Sequence, residues 1–174
     1  MKADLYSTLT AEECKKAKEL LLKNWGEQIS NIFILGLFLG IRIKDLLNLK
    51  FSDFINNKKL LIASNRSCHV NTNIYVSPEV KEIIAEIRNQ HPTDEYIFQS
   101  RHRTNCKQTK PISKQYVYKA FKNISDQMNV KLSAKSIRNT YIKSLIEAVK
   151  PENHNPVFIY SSLNKSLGNI HSKK

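Results

Sequence analysis

The sequence predicts a mainly α fold with a small antiparallel β-sheet, an α+β domain occupying residues 1–174 as a single unit. Three observations carry that expectation. Apolar residues recur at helical spacing along most of the chain. The spacing changes around KKLLIAS (58–64) and TNIYVS (72–77), which read as short strands joined by polar NRSCHVN. Neither a strand–helix alternation nor a glycine-rich phosphate loop occurs.

The elements follow in order. Thr10-Ala11-Glu12-Glu13 has the pattern of a capping box, and Cys14, Ala17 and Leu21 recur on one face behind it. A second helix is expected over Glu27–Ile41, with no charge from Asn31 onward; Gly36 and Gly40 suggest close packing or a helix end. IKDLLNLK (43–50) reads as a short third helix with Leu46, Leu47 and Leu49 inward. Beyond the strands, Ser77-Pro78 starts a helix whose stripe is Val80, Ile83, Ile84 and Ile87. EYIFQS (95–100) reads as a short extended piece and RHRTNCKQTK (101–110) as a basic loop. Ser113 caps the next helix, with Val117, Phe121, Ile124 and Met128 on one face. A further helix is expected over Ala134–Val149, stopping before Pro151. Its apolar stripe is Ile137, Tyr141 and Leu145, with Ile142 and Ile146 beside it.

Lys and Arg number 28 against 15 Asp and Glu, a formal charge of +13. Such a balance favours a polyanionic partner, nucleic acid or an acidic membrane surface, over a merely solvated basic face. The start MKADLYSTLT lacks the apolar core of a secretory leader, and NIFILGLFLGI (31–41) is too short to span a bilayer. A cytoplasmic protein without a membrane partner is therefore expected. The 3 cysteines are far apart and fit reduced thiols; with the 5 histidines they form no metal-ligand spacing. No metal and no cofactor are expected.

Two stretches concentrate chemistry. Arg42 follows directly on the uncharged run 31–41. Lys135 and Arg138 sit three apart, a spacing that points both to one side of a helix. Converging cations of this kind suit a phosphate, and the planar fork of arginine gives bidentate bonds to its oxygens. Charged surface residues are common, so composition alone favours three unrelated surface cations.

LGIRIKDLLNLKFSDF (39–54) resembles the first conserved box of the tyrosine recombinases, the phage integrase family, through Gly40-Ile41-Arg42, Leu46-Leu47, Leu49 and Asp53. SAKSIRNTYIKSLI (133–146) is similar to the second box, through Lys135, Arg138 and Tyr141. The order of elements between the boxes also looks like the family's, so the resemblance covers almost the whole chain. It implies a tyrosine-recombinase catalytic-domain fold and a partner, double-stranded DNA, with self-association on that DNA. It also implies metal-free chemistry. A tyrosine attacks a phosphodiester and forms a phosphotyrosyl link, while paired arginines stabilise the five-coordinate transition state. By matched position Arg42 and Arg138 are those arginines, and Lys135 takes the first position of the second box. Arg66, Arg101, Arg103, Lys107, Lys110 and Lys114 are the further cations expected to contact DNA.

The sequence departs from the family in two places. The proton-donating lysine of the hairpin is replaced by Arg66, a phosphate binder but a poor acid, with His69 a weaker candidate. The nucleophile position falls on Asn169 in one alignment of FIYSSLNKSLGNIH (158–171) and on Lys174 in another. A third alignment makes Tyr160 the nucleophile, with His154 before it and the intervening region shortened. Three functions remain open on this reading: a recombinase or integrase domain, a non-catalytic DNA-binding regulator on the same fold, and an unrelated basic helical protein binding RNA or an acidic protein. The family's N-terminal DNA-clamping arm is not expected, since the matched region starts close to Met1.

Overall fold

The computed structural model describes residues 7–55, 59–62, 72–101 and 109–148. The chain divides into two compact units, Met1–Arg42 with Val117–Lys174, and Ile43–Tyr116.

The first unit is helical. Helix α1 (Ala11–Trp25) is opened by Thr10, whose hydroxyl accepts from the Glu13 amide while the Glu13 carboxylate accepts from the Thr10 amide. Its buried face is Cys14, Ala17 and Leu21, as the spacing predicts. Gly26, at φ 84°, separates α1 from α2 (Glu27–Leu39). Helix α2 is buried almost all round from Ile29 to Leu39, which explains the uncharged run, and it packs against both α1 and α6. It ends two residues earlier than the expected Ile41, because Gly40 takes the left-handed conformation (φ 60°, ψ 14°) and donates its N–H to the Gly36 carbonyl. Helix α5 (Lys114–Met128) begins in the second unit and lies mostly in the first. It buries Val117, Ala120, Phe121 and Ile124, and Phe121 meets Phe33 edge-on with centroids 6.3 Å apart. Met128, expected on that face, is only half-buried.

Helix α6 (Ala134–Ala148) corrects the expected stripe. Its buried positions are Ser136, Ile137, Thr140 and Ser144, whereas Ile142 is 41% exposed and Ile146 69%. The physical reason lies in the hydroxyls. Thr140 Oγ1 donates to the Ser136 carbonyl and Ser144 Oγ to the Thr140 carbonyl, so burial leaves no hydroxyl proton without an acceptor. Thr140 Oγ1 also accepts from the Leu9 amide at 2.8 Å, tying the segment before α1 to α6.

The second unit opens with α3 (Ile43–Leu47) and a 3₁₀ turn over Phe51–Asp53. Leu46, Leu47 and Leu49 are buried as expected. Strands β1 (Phe54–Ile55), β2 (Lys59–Ile62) and β3 (Thr72–Tyr75) pair antiparallel in that order, with Phe54 opposite Leu60 and Leu60 opposite Ile74. Helix α4 (Pro78–Gln90) is capped by Ser77 and buries Val80, Ile83, Ile84 and Ile87. EYIFQS forms no strand of its own; Tyr96 bridges Lys50 and Gln99 bridges Pro111 as isolated pairs, while Ile97 and Phe98 are fully buried.

Candidate functional site

The site is built around the end of α2 and the start of α6, both in the first unit. Gly40 and Tyr141 meet there. A Cβ placed on Gly40 would fall inside the van der Waals envelope of the Tyr141 ring, so only glycine fits under it. Arg42 follows Gly40 by two residues, and Arg138 precedes Tyr141 by one helical turn. The segments that carry the two arginines therefore adjoin at this contact.

Helix α6 begins with a capping arrangement made of two serines. The Ser136 amide donates to Ser133 Oγ at 3.1 Å, and the Ser133 amide donates to Ser136 Oγ at 2.8 Å. Serine here does the work that glutamate usually does at the third helical position. The cap fixes the phase of the first turn. Ser136 is turned fully inward, and Lys135 and Arg138 both project to the exposed side.

Arg42, Lys135 and Arg138 are all exposed. Among the described residues no hydrogen bond or ion pair engages any of the three. Their donors face solvent, available to an incoming anion. Tyr141, half-buried beside them, has its phenol pushed above its ordinary pKa by that burial.

The second unit holds the described cations of the basic loop. Arg101 and Lys110 are both exposed, and the chain segments that carry them run antiparallel. The Ser100 amide donates to the Lys110 carbonyl at 2.8 Å and the Ile112 amide to the Phe98 carbonyl at 2.7 Å. Arg101 reaches Asp94 at 3.3 Å. Thr109 Oγ1 donates to Glu95 at 2.7 Å, and Lys50 pairs with the other oxygen of Glu95 at 2.7 Å. Glu95 is held below its ordinary pKa by hydrogen bonds from Lys50 and Thr109, and Lys50 is raised by the same pairing. The acidic pair Asp94-Glu95 carries no sequence pattern of its own, and the sequence gives no sign that it would reach across to Lys50 and Thr109. Lys114, at the first position of α5, is exposed.

Arg66, His69, Arg103, Lys107, His154 and Tyr160 lie outside the described residues. Among the described residues no group of histidine, cysteine, aspartate and glutamate is placed to hold a metal ion, and no helix is long and apolar enough to cross a membrane.

The solved structure of a lambda integrase dimer bound to a core site aligns with 100% of this chain and 63% of its own, at TM-score 0.66 and 16% identity. XerH, a site-specific recombinase solved with its difH substrate in a pre-cleavage complex, aligns with 98% of this chain and 51% of its own, at TM-score 0.60 and 16% identity. The chain thus shares their mainly helical fold while spanning about half to two-thirds of their length. Comparison with curated protein sequences returns no match. The Phage integrase family matches residues 5–153, which takes in both arginine boxes and all that lies between them. With that much of the sequence matched, the chain belongs to the phage integrase family.

Proposed function

We propose that this chain is a DNA-binding tyrosine-recombinase domain serving site-specific recombination or integration, a single domain in which Arg42 and Arg138 hold one phosphate of double-stranded DNA. The observation that carries this reading is the Gly40–Tyr141 contact, which joins the segments bearing two exposed arginines that no hydrogen bond or ion pair engages among the described residues. Family membership and the recombinases it resembles support it.

In this reading each residue has a role. The guanidinium groups of Arg42 and Arg138 bind the non-bridging oxygens and stabilise the charge that builds in the five-coordinate transition state. Lys135, one turn before Arg138, adds a third positive charge to the same phosphate. Arg66 binds phosphate from the hairpin position. Tyr160 supplies the phenolate that attacks the phosphorus; the bond to the 5′ oxygen breaks as the phosphotyrosyl bond forms, and the leaving oxygen takes a proton. Arg101, Arg103, Lys107, Lys110 and Lys114 bind backbone phosphates without reading sequence. The protein works in the cytoplasm and self-associates on its DNA.

A second reading, a non-catalytic DNA-binding regulator on the same fold, is favoured by one sequence observation: neither family alignment of the C-terminal stretch supplies a tyrosine, since they place Asn169 and Lys174 there. One assay separates the two. Nicked suicide duplexes are incubated with the protein and with Tyr160→Phe, and a covalent adduct is sought on a denaturing gel. An adduct lost in the variant makes Tyr160 the nucleophile. Salt-sensitive binding with no adduct supports the regulator, and absence of DNA binding overturns both readings.

A further inference from the structure

We propose that Glu95 is a positioning residue for a phosphate contact made by Lys110, acting through the hydroxyl of Thr109; this rests on the reading that the chain binds duplex DNA. The neck of the basic loop is built for placement rather than for added charge. Its two arms are pinned by the Ser100–Lys110 and Ile112–Phe98 backbone bonds. Those bonds fix the backbone of residue 110 but by themselves leave the Thr109 side chain free to rotate.

The Thr109 hydroxyl removes that freedom. It donates to Glu95 Oε2 at 2.7 Å, which ties this side chain to Glu95 although the residue is exposed. Lys110, the next residue, is exposed too, and its carbonyl is held by the Ser100 amide, so fixing Thr109 restrains the chain on the other side of it. Glu95 can serve as an anchor because it is itself held. Lys50 pairs with its Oε1 at 2.7 Å, and Lys50 Nζ lies 5.1 Å over the Tyr96 ring. The Glu95 amide donates to Gln99 Oε1 at 2.9 Å, and its carbonyl accepts from the Phe51 amide at 3.2 Å. The turn before it is held in turn by Arg88, which donates to the Pro92 and Asp94 carbonyls and stacks 3.6 Å from the Phe51 ring centroid. An acidic side chain beside a phosphate-binding cation would oppose DNA if charge alone mattered. Its engagement on both oxygens instead makes it a fixed point from which Lys110 is aimed outward.

The experiment measures binding of a duplex probe across a salt series for the whole chain and six variants. Lys110→Gln lowers the salt slope by about 1, the value of one phosphate contact. Thr109→Val matches it, Thr109→Ser restores the parent slope, and Thr109→Val with Lys110→Gln falls no further than either alone. Glu95→Gln, which keeps an acceptor for the hydroxyl, retains the slope, while Glu95→Ala loses it although both raise the net charge equally. An additive double variant, an unaffected Lys110→Gln, or a Glu95→Ala that binds as well as Glu95→Gln would overturn the proposal while the parent still binds. A parent that does not bind in a salt-dependent way overturns the DNA reading and this proposal with it.

Discussion

The Tyr141 ring packs against Gly40, so close that the backbone of residue 40 has room for hydrogen but not for carbon. The same glycine is left-handed, at φ 60°. Two independent constraints thus fall on one residue, and each by itself would favour glycine there.

Gly40→Ala should therefore be costly. The left-handed backbone adds about 1–2 kcal/mol for alanine, and overpacking against the ring adds about 1–3 kcal/mol. Urea unfolding should show the midpoint falling without a change in slope. Adding Tyr141→Ala relieves the clash but not the backbone strain, so the double variant should be more stable than the sum of the single effects predicts.

The buried phenol predicts an alkaline limb. Its pKa is raised in the folded state by burial, so above the ordinary value of 10.0 the unfolded chain gives up this proton first. The unfolded state then binds fewer protons than the native one, and stability falls as pH rises through that range. Thermal melting across the alkaline range should show this fall, and Tyr141→Phe should flatten it.

The Lys50–Glu95 pair predicts an acid limb in the second unit. The Glu95 carboxyl is depressed below its ordinary 4.5, so its contribution is present above that value and is lost as pH falls through the lower folded value. Lys50 is raised above 10.5, so its contribution persists through neutral pH and is lost only in strong alkali. Protection of the Phe51 amide, whose N–H is bonded to the Glu95 carbonyl, should fall in acid when each exchange rate is referred to the intrinsic rate at that pH, and Glu95→Gln should show the lower protection already at neutral pH and lose the pH dependence. Both side chains face water, so the effect should shrink with added salt.

The arginines predict coupled losses. Arg138→Ala should weaken duplex binding modestly and lower the salt slope by about 1, since other cations share the load. Arg42→Ala should do the same. If both hold one phosphate, the double variant should lose less than the sum of the single losses, whereas arginines on separate phosphates should add.

Much of this was legible in the sequence, for reasons that differ by element. The Thr10–Glu13 box, the Ser77-Pro78 start and the Val80–Ile87 stripe are local patterns, and local patterns survive tertiary context. The face of α6 was misread because Ile142 and Ile146 are more apolar than Ser136, Thr140 and Ser144. Hydroxyls that bond their own helix carbonyls can be buried at little cost, and a hydropathy pattern does not register this. The ties from Leu9 to Thr140 and from Thr109 to Glu95 join residues whose separation in the chain carries no period. The arginine pair stands out by its place after an uncharged run and at helical spacing, and the match of its two boxes to a known pattern links the two; the exposure of both residues came from the structure.

The Leu9–Thr140 bond spans a separation of 131 residues, and it sits in a unit whose two halves flank the other unit in the chain. That arrangement sets an order of events during synthesis. Helices α1 and α2 leave the ribosome before the second unit and α6, and α2 carries apolar side chains on almost every face. Its packing partner α6 begins 95 residues after α2 ends and is made later. At about 5–20 residues per second, the wait between them is on the order of 5–20 s. The second unit, continuous in sequence, can fold in that interval, while α2 stays partly uncovered. The nascent chain is therefore most open to chaperone capture, and most prone to aggregate, between the emergence of α2 and the release of α6.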